Sequence, residues 1–272
     1  MSFDSDIICF IDSDPRKHSC NNDGKRLLID NQEYLIYGPE KLKELDFDKI
    51  YIATEVPVYI EQIQQLLQTM GISQDKIDLS LTFIPYYARL NFIKTLSDSF
   101  LNKIEGSVAE LGVFRGDMAK HINKFFKDNK FYLLDTFEGF DIRDCENEKK
   151  QGFSQAESND FSLTSLDIVK AKMPYIDQCC FVKGYFPESA IQIPQDEKFK
   201  FVNIDVDLYQ PILAGCEYFY PRLVKGGGLL IHDYYHPYYT GVKQAVDEFC
   251  KKMKLQIFPI GDAFSVFLVK NF

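Results

Sequence analysis

The sequence predicts a two-part α/β chain in which a large unit built on a mostly parallel sheet follows a smaller α/β unit, with the boundary near residue 80. Three observations predict it. Ser107 to Asp135 reads as a strand, a glycine turn, an amphipathic helix and a second strand ending in an acid, which is a βαβ opening. Short apolar runs continue to alternate with helical segments as far as Val269. The first ~80 residues carry a shorter alternation of the same kind with turn signals of their own.

In the first part, Ile7 to Ile11 is a predicted strand ending at Asp12, followed by the turn-rich SDPRKHSCNNDG. Leu27 to Tyr37 is extended, Pro39 opens a short helix to Leu45, and Lys49 to Thr54 is another apolar strand. Pro57 starts a helix to Met70 with Ile60, Ile63, Leu66 and Leu67 on one face, and Gly71 stops it. This half resembles the later part of a small Rossmann-like domain of the kind found beside sugar-modifying enzymes. It lacks the initial strand and any glycine-rich phosphate turn, so Asp12 and Asp14 read as loop caps. A dimerisation surface or a grip on a sugar carrier is the role expected of it.

The second part opens with Thr82 to Ile104, where Tyr86, Leu90, Ile93, Leu96, Phe100 and Leu101 recur at helical spacing, as in a core-packing helix. Val108, Ala109, Leu111 and Val113 surround a single carboxylate, Glu110, and Gly112 and Gly116 bracket the turn before the helix Met118 to Phe126. Two glycines four residues apart do not make the dinucleotide GxGxxG, so no pyrophosphate cradle is expected. The pattern fits a small zwitterionic ligand passing bare backbone, with Asp135 accepting from a ribose diol. It equally fits a tightened turn in which Asp135 caps the following segment. The polar stretch from Asp141 to Ser162 reads as a mobile lid over the acceptor or as a disordered surface loop.

Phe181 to Lys183 and Phe201 to Asp205 are the next strands, and Gly184 ends the former. Gly226 to Gly228 precede a strand rather than a helix, so they read as a tight turn. Gly228 to Ile231 then delivers His232 and Asp233 to the same rim. Gly241 to Lys252 is an amphipathic helix, and Leu255 to Ile260 and Ala263 to Val269 form a hairpin through Gly261 and Asp262.

Composition narrows the function. Hydrophobic residues at 46% supply a substantial core, no apolar run approaches a membrane span, and the opening MSFDSD lacks a basic signal-peptide start. A cytoplasmic protein is expected. The seven cysteines form no CxxC and no zinc-spaced cluster, and read as reduced thiols. A net charge of −9 argues against a nucleic-acid partner. Lys251, Lys252 and Lys254 read as a solvated helix end.

NIDVD carries the chemistry. In an alternating strand Asp205 and Asp207 point to one side, and two carboxylates that close raise each other's pKa unless a cation neutralises them. A divalent cation, Mg²⁺ or Mn²⁺, is the economical partner for oxygen donors with an available imidazole. The alternative is a solvated strand end, against which stands the convergence of Asp205, Asp207, His232 and Asp233 from two strand ends.

ELGVFRG, LLDTFEGF, FVKGYFPESA and the run from Val202 to Phe249, with its DVDLY, YPRLVKGG and closing DY, resemble the macrocin O-methyltransferase family over about Thr82 to Lys270. These are class I S-adenosylmethionine enzymes that methylate sugar hydroxyls in a metal-dependent way. The resemblance implies a class I methyltransferase sheet with an antiparallel last strand over residues 81–272. It implies S-adenosyl-L-methionine held by Glu110, Gly112, Gly116, Asp135, Thr136, Gly184, Tyr185 and Phe186, although a core role for Phe186 stands beside that reading. It places a ribose-side loop at Glu138 and Gly139, and a cofactor entrance near Tyr86 and Arg89.

The resemblance also matches Asp205 and Asp233 to metal ligands and Asp207 to the proton acceptor. The family commonly has an acid where this chain has His232, which is then a ligand, a base or a weak point of the metal site; His236 is a reserve base. The acceptor is a hydroxyl of a sugar, nucleotide-linked or part of a surface glycan or glycosylated metabolite, and the enzyme is expected to be a homo-oligomer. Catechols, which share vicinal oxygens, are the rival acceptors. A binding module without turnover is the rival from outside enzymology.

Overall fold

The computed structural model describes residues 7–20, 26–29, 32–54 and 56–271. It divides into two compact units, one ending at Leu81 and one running from Thr82, with Thr54–Pro57 belonging to the second. The opening MSFDSD and the end of the predicted turn after Ile11 lie outside the described residues.

The first unit contains β1 (Phe10–Ile11), β2 (Leu27–Ile29), β3 (Gln32–Tyr34), β4 (Ile36–Tyr37), β5 (Ile50–Tyr51), α1 (Pro57–Thr69) and β6 (Ile77–Asp78). β1 pairs with β4 and β5 with β6 in parallel, while β2 and β3 form an antiparallel ladder. The strands are shorter than expected, and after β1 side chains hold the backbone in a turn. Asp14 accepts from the Arg16 N–H at 2.9 Å and pairs with its guanidinium at 2.6 Å, and His18 Nε2 lies 2.7 Å from the Asp12 carbonyl. Asp12 and Asp14 are therefore loop-forming residues. Gly71 ends α1 at φ 78, a conformation that suits glycine.

The second unit contains α2 (Ile84–Ser99), β7 (Ser107–Leu111), α3 (Ala119–Phe125), β8 (Phe131–Asp135), α4 (Ile142–Gln151), α5 (Leu166–Lys172), β9 (Cys179–Lys183), β10 (Phe199–Ile204), α6 (Tyr209–Phe219), β11 (Leu223–Ile231), α7 (Thr240–Met253), β12 (Phe258–Pro259) and β13 (Val266–Val269). The strands join one sheet in the order β12-β13-β11-β10-β7-β8-β9. Only β13 runs against its neighbours, pairing antiparallel with β11 and β12. The antiparallel closing hairpin is as expected, and the sheet order is that of a class I methyltransferase.

Helices on both faces bury both sides of each central strand, so the strands read as almost continuous apolar runs. Ala109, Leu111, Val202 and Ile204 pack with Ile212, Phe219, Val242 and Phe249 from α6 and α7. Val108, Phe201 and Leu230 pack on the other face with Ile93, Ile122 and Val169 from α2, α3 and α5. Full burial of each such side chain contributes about 2 kcal/mol. Strand order reverses between β7 and β10, which opens a crevice beyond their carboxyl ends, the place where open α/β sheets bind ligands.

One expectation, that of a disordered loop, is corrected. The stretch from Asp141, read as a mobile lid or a disordered loop, contains α4. Asp141 caps its start by accepting from the Arg143 N–H, and Gly152 ends it in the left-handed conformation. Its buried side includes Asp144 and Glu148 beside Cys145, so the hydrophobic periodicity that reveals most helices is missing. No helix among the described residues is long and apolar enough to cross a membrane. All seven cysteines are unbridged, and Lys252 at the end of α7 pairs with Glu217 at 2.7 Å.

Candidate active site

The site begins with two strand ends held in register. The Asp205 N–H donates to Leu111 O at 2.8 Å, and the His232 N–H donates to Ile204 O at 2.9 Å. Asp205 and His232 thus leave neighbouring strands at the same level, beside the switch point. His232 Nδ1 lies 3.0 Å from Asp205 Oδ1 and 3.0 Å from Asp233 Oδ2. One donor atom from each of these residues falls within 4.8 Å of the others, a spacing a single metal ion can span.

Asp207 joins them by a different route from the one strand alternation predicts. β10 ends at Ile204, before either acid. Asp207 is the centre of a three-residue turn closed by Leu208 N–H donating to Val206 O at 2.6 Å, with φ 59. Asp233 also has φ 59. Two non-glycine residues held in this sparsely populated region, side by side, mark backbone strain concentrated at one site.

The electrostatics follow from that crowding. Burial and the neighbouring Asp233 and Asp205 carboxylates push Asp207 well above the carboxylate range, which makes it a stronger base than an ordinary aspartate. Burial alone would raise Asp233 too, but the adjacent His232 and the hydrogen bond with Asp207 prevail and hold it below the usual range. Burial and Arg89 oppose charge on His232; Asp205 and Asp233 outweigh them and raise its pKa.

Arg89 is the residue whose importance the sequence understated. It is buried on α2, and its Nη1 lies 3.2 Å from Asp205 Oδ2. A charged residue on the buried face of an apolar helix was the available signal, but packing accounted for that face. Tyr86, from the same helix, instead donates its hydroxyl to Asp117 O at 2.9 Å.

The predicted cofactor residues divide. Glu110, on the face shared by Val108 and Phe201, is buried, accepts from Asn203 Nδ2 at 2.8 Å, and is pushed well up by burial. Its Oε2 is buried with no donor among the described residues. Asp135 clamps the glycine turn, the second of the two roles its position allowed. Its Oδ2 accepts from the N–H groups of Val113 at 2.6 Å and Phe114 at 2.8 Å, and its Oδ1 accepts from Phe137 N–H at 2.7 Å. Thr136 likewise serves its own loop, donating to Gly139 O at 2.6 Å.

The two turn glycines each have protein close to where a side chain would stand. A Cβ on Gly112 would sit 1.9 Å from Asp205 O, and one on Gly116 would sit 3.1 Å from Val169 Cγ1. Gly112→Ala therefore forces either β7 or the Asp205 loop to move and adds strain at φ 87. We expect a loss of at least ~2 kcal/mol, read as a lower unfolding midpoint in urea.

Gly184, at φ 137, ends β9, and Tyr185 packs its ring 3.6 Å beneath the Arg143 guanidinium and donates to Asp144 Oδ1 at 3.1 Å. Burial pushes Asp144 up to about 6. Phe186 is core, stacked on Phe219 with ring centroids 5.9 Å apart, so its cofactor role is corrected. His236 Nδ1 accepts from Tyr238 N–H at 3.1 Å and Tyr239 N–H at 3.3 Å, shaping its own loop.

Comparison with known proteins bears on the fold and the family. The macrocin O-methyltransferase family model matches residues 38–268, reaching further upstream than the motifs that suggested it. The mycinamicin III 3''-O-methyltransferase of Micromonospora griseorubida is 29% identical over 174 residues, 59% of this chain and 67% of that protein. Among solved structures, the O-methyltransferase NovP superposes with a TM-score of 0.57 at 22% identity, covering 68% of this chain and 80% of its own. The calicheamicin methyltransferase CalS11 superposes with a TM-score of 0.56 at 17% identity, covering 83% of this chain and 99% of its own. At these identities the two structures speak for the fold alone. With the family model spanning both the methyltransferase sheet and the strand ends that gather the acids, this chain belongs to the macrocin O-methyltransferase family and is an S-adenosylmethionine-dependent O-methyltransferase.

Proposed function

We propose that the chain transfers a methyl group from S-adenosylmethionine to a hydroxyl of a sugar, with a divalent cation held by Asp205, His232 and Asp233. The convergence of these three residues with Asp207 at the switch point carries the reading. The similarity to an enzyme named for methylating mycinamicin III favours a glycosylated metabolite as acceptor, and a nucleotide-linked sugar or surface glycan precursor offers the same diol chemistry.

The donor set suits the proposed metal: two carboxylates and an imidazole at one rim, the mixture that Mg²⁺ and Mn²⁺ accept. Bound there, a cation would lower the pKa of a sugar hydroxyl. The chain's own residues do the rest. Asp207 accepts the hydroxyl proton, and its strained turn aims the carboxylate into the cluster. Asp233, hydrogen-bonded to Asp207, holds it in that orientation. Glu110 supports the cofactor assignment, since its buried, donorless oxygen at the crevice suits a cationic ligand carrying N–H groups. Gly184 and Tyr185, beyond β9, border the cofactor region in this reading.

His232 motivates a second reading. Lying 3.0 Å from both carboxylates, a charged imidazole neutralises them without a metal. The deciding experiment is a calorimetric titration of S-adenosylhomocysteine with Mn²⁺ or with chelator, followed by methyl-transfer assays on sugar diols and catechols. The metal reading predicts micromolar-range binding and turnover abolished by chelator. Chelator-resistant turnover would establish His232 as the internal cation. Catechol turnover alone would replace the sugar, and binding without turnover on either acceptor would leave a non-catalytic module. For the first unit we propose a dimerisation surface or a grip on the sugar carrier.

A further inference from the structure

The buried carboxylate of Glu148, on α4, takes no part in the chemistry above, yet it lies between the starts of the two helices that follow the loops carrying the site residues. Its Oε1 accepts the N–H of Tyr209 at 2.7 Å, and its Oε2 accepts the Ser154 hydroxyl at 2.8 Å. Tyr209 is the first residue of α6 and directly follows the Asp205–Leu208 turn. A carboxylate there satisfies one of the N–H groups a helix start leaves unpaired and lies at the favourable end of its dipole.

The second residue of α7, Gly241, closes on the same carboxylate. A Cβ on Gly241 would sit 2.8 Å from Glu148 Oε1 and 2.9 Å from Tyr209 Cβ. The preceding residue, Thr240, donates its hydroxyl to Phe153 O at 2.8 Å, just beyond the end of α4. α7 is entered from the loop that begins with His232 and Asp233. α4 therefore clasps the start of α6 and the start of α7 together.

We infer that Glu148 is a positioning residue that sets the spacing between the Asp205–Asp207 turn and the His232–Asp233 loop. Each of these two loops is strained at one aspartate, and such a loop keeps its shape only while its far end is anchored. Burial raises the carboxyl of Glu148, while the Tyr209 N–H and Ser154 hydroxyl favour its charged form. Misplacing one reacting group by about an ångström can cost about 10²-fold in rate.

The test compares Glu148→Ala, Glu148→Gln and Gly241→Ala in the full chain, by amide hydrogen exchange read on peptides covering 204–210 and 231–240. Glu148→Ala is expected to speed exchange in both peptides while the β7 and β8 peptides stay as in wild type. Glu148→Gln keeps an acceptor for Tyr209 and is expected to restore protection. Gly241→Ala, which pushes the same contact apart, is expected to reproduce the loss and serves as the second probe if Glu148→Ala fails to fold. Unchanged exchange in both loops, or a rise spread evenly over the chain, would overturn the inference.

A kinetic arm rests on the proposed methyl transfer. There kcat is expected to fall about 30–100-fold in Glu148→Ala, with the acceptor KM within about threefold and recovery in Glu148→Gln. Unaltered kcat would also overturn the inference. Absence of methyl transfer in the wild type would instead remove the functional reading, leaving the exchange experiment to decide the role of Glu148.

Discussion

Asp207→Asn is expected to lower kcat by about 10³-fold while leaving S-adenosylhomocysteine affinity within about threefold of wild type. Asparagine keeps the size of the side chain and tolerates the left-handed backbone at φ 59, so the turn survives. Its amide can still hydrogen-bond to Asp233, so the unfolding midpoint is expected to hold. What it cannot do is accept a proton from the acceptor hydroxyl. Single-turnover kinetics together with calorimetry would check this, and wild-type kcat in the variant would exclude Asp207 as the proton acceptor.

Asp205→Ala should have two separable effects. Loss of one of three converging donors is expected to weaken Mn²⁺ binding at least ~100-fold, read by titration with electron paramagnetic resonance. Loss of the partner of a buried guanidinium should also destabilise the fold. Because the Asp205 side chain remains 22% exposed, the expected cost is about 2–3 kcal/mol, below the range for a fully buried pair. Adding Arg89→Met to Asp205→Ala should recover most of that stability without restoring Mn²⁺ binding. Undiminished Mn²⁺ affinity in the single variant would move the metal elsewhere or remove it.

The acids were legible because each lies at a strand end, and strand ends can be located from apolar runs. Asp205 follows Phe201–Ile204, and His232 follows Leu229–Ile231, so their shared rim follows from a parallel arrangement. How Asp207 joins them was not legible. Alternation along a strand gave the right neighbourhood by the wrong route, since the strand stops first and a positive-φ turn supplies the approach.

The cofactor side shows the opposite limit. Asp135 and Gly112 occupy the expected positions, and backbone N–H groups bond the carboxylate while a neighbouring carbonyl lies over the glycine. Residue type and spacing cannot distinguish a group bare for a ligand from one bare for its own chain. α4 escaped detection for a related reason. Its inner face carries Asp144 and Glu148, whose hydrogen bonds to Tyr185 and Tyr209 exist only once distant segments of the chain are assembled.

By itself the sequence determined the α/β class, the order of the strands of the large sheet along the chain, the antiparallel closing hairpin and the acids offered at the rim. Those features rest on local periodicity, turn chemistry and motif spacing, which short stretches encode on their own. Only the tertiary structure decided which polar groups face one another. Arg89 meets Asp205 across 116 residues, and Glu148 meets Tyr209 across 61. The strength of a buried charge depends on its partners and its dehydration, and both are properties of the assembled fold.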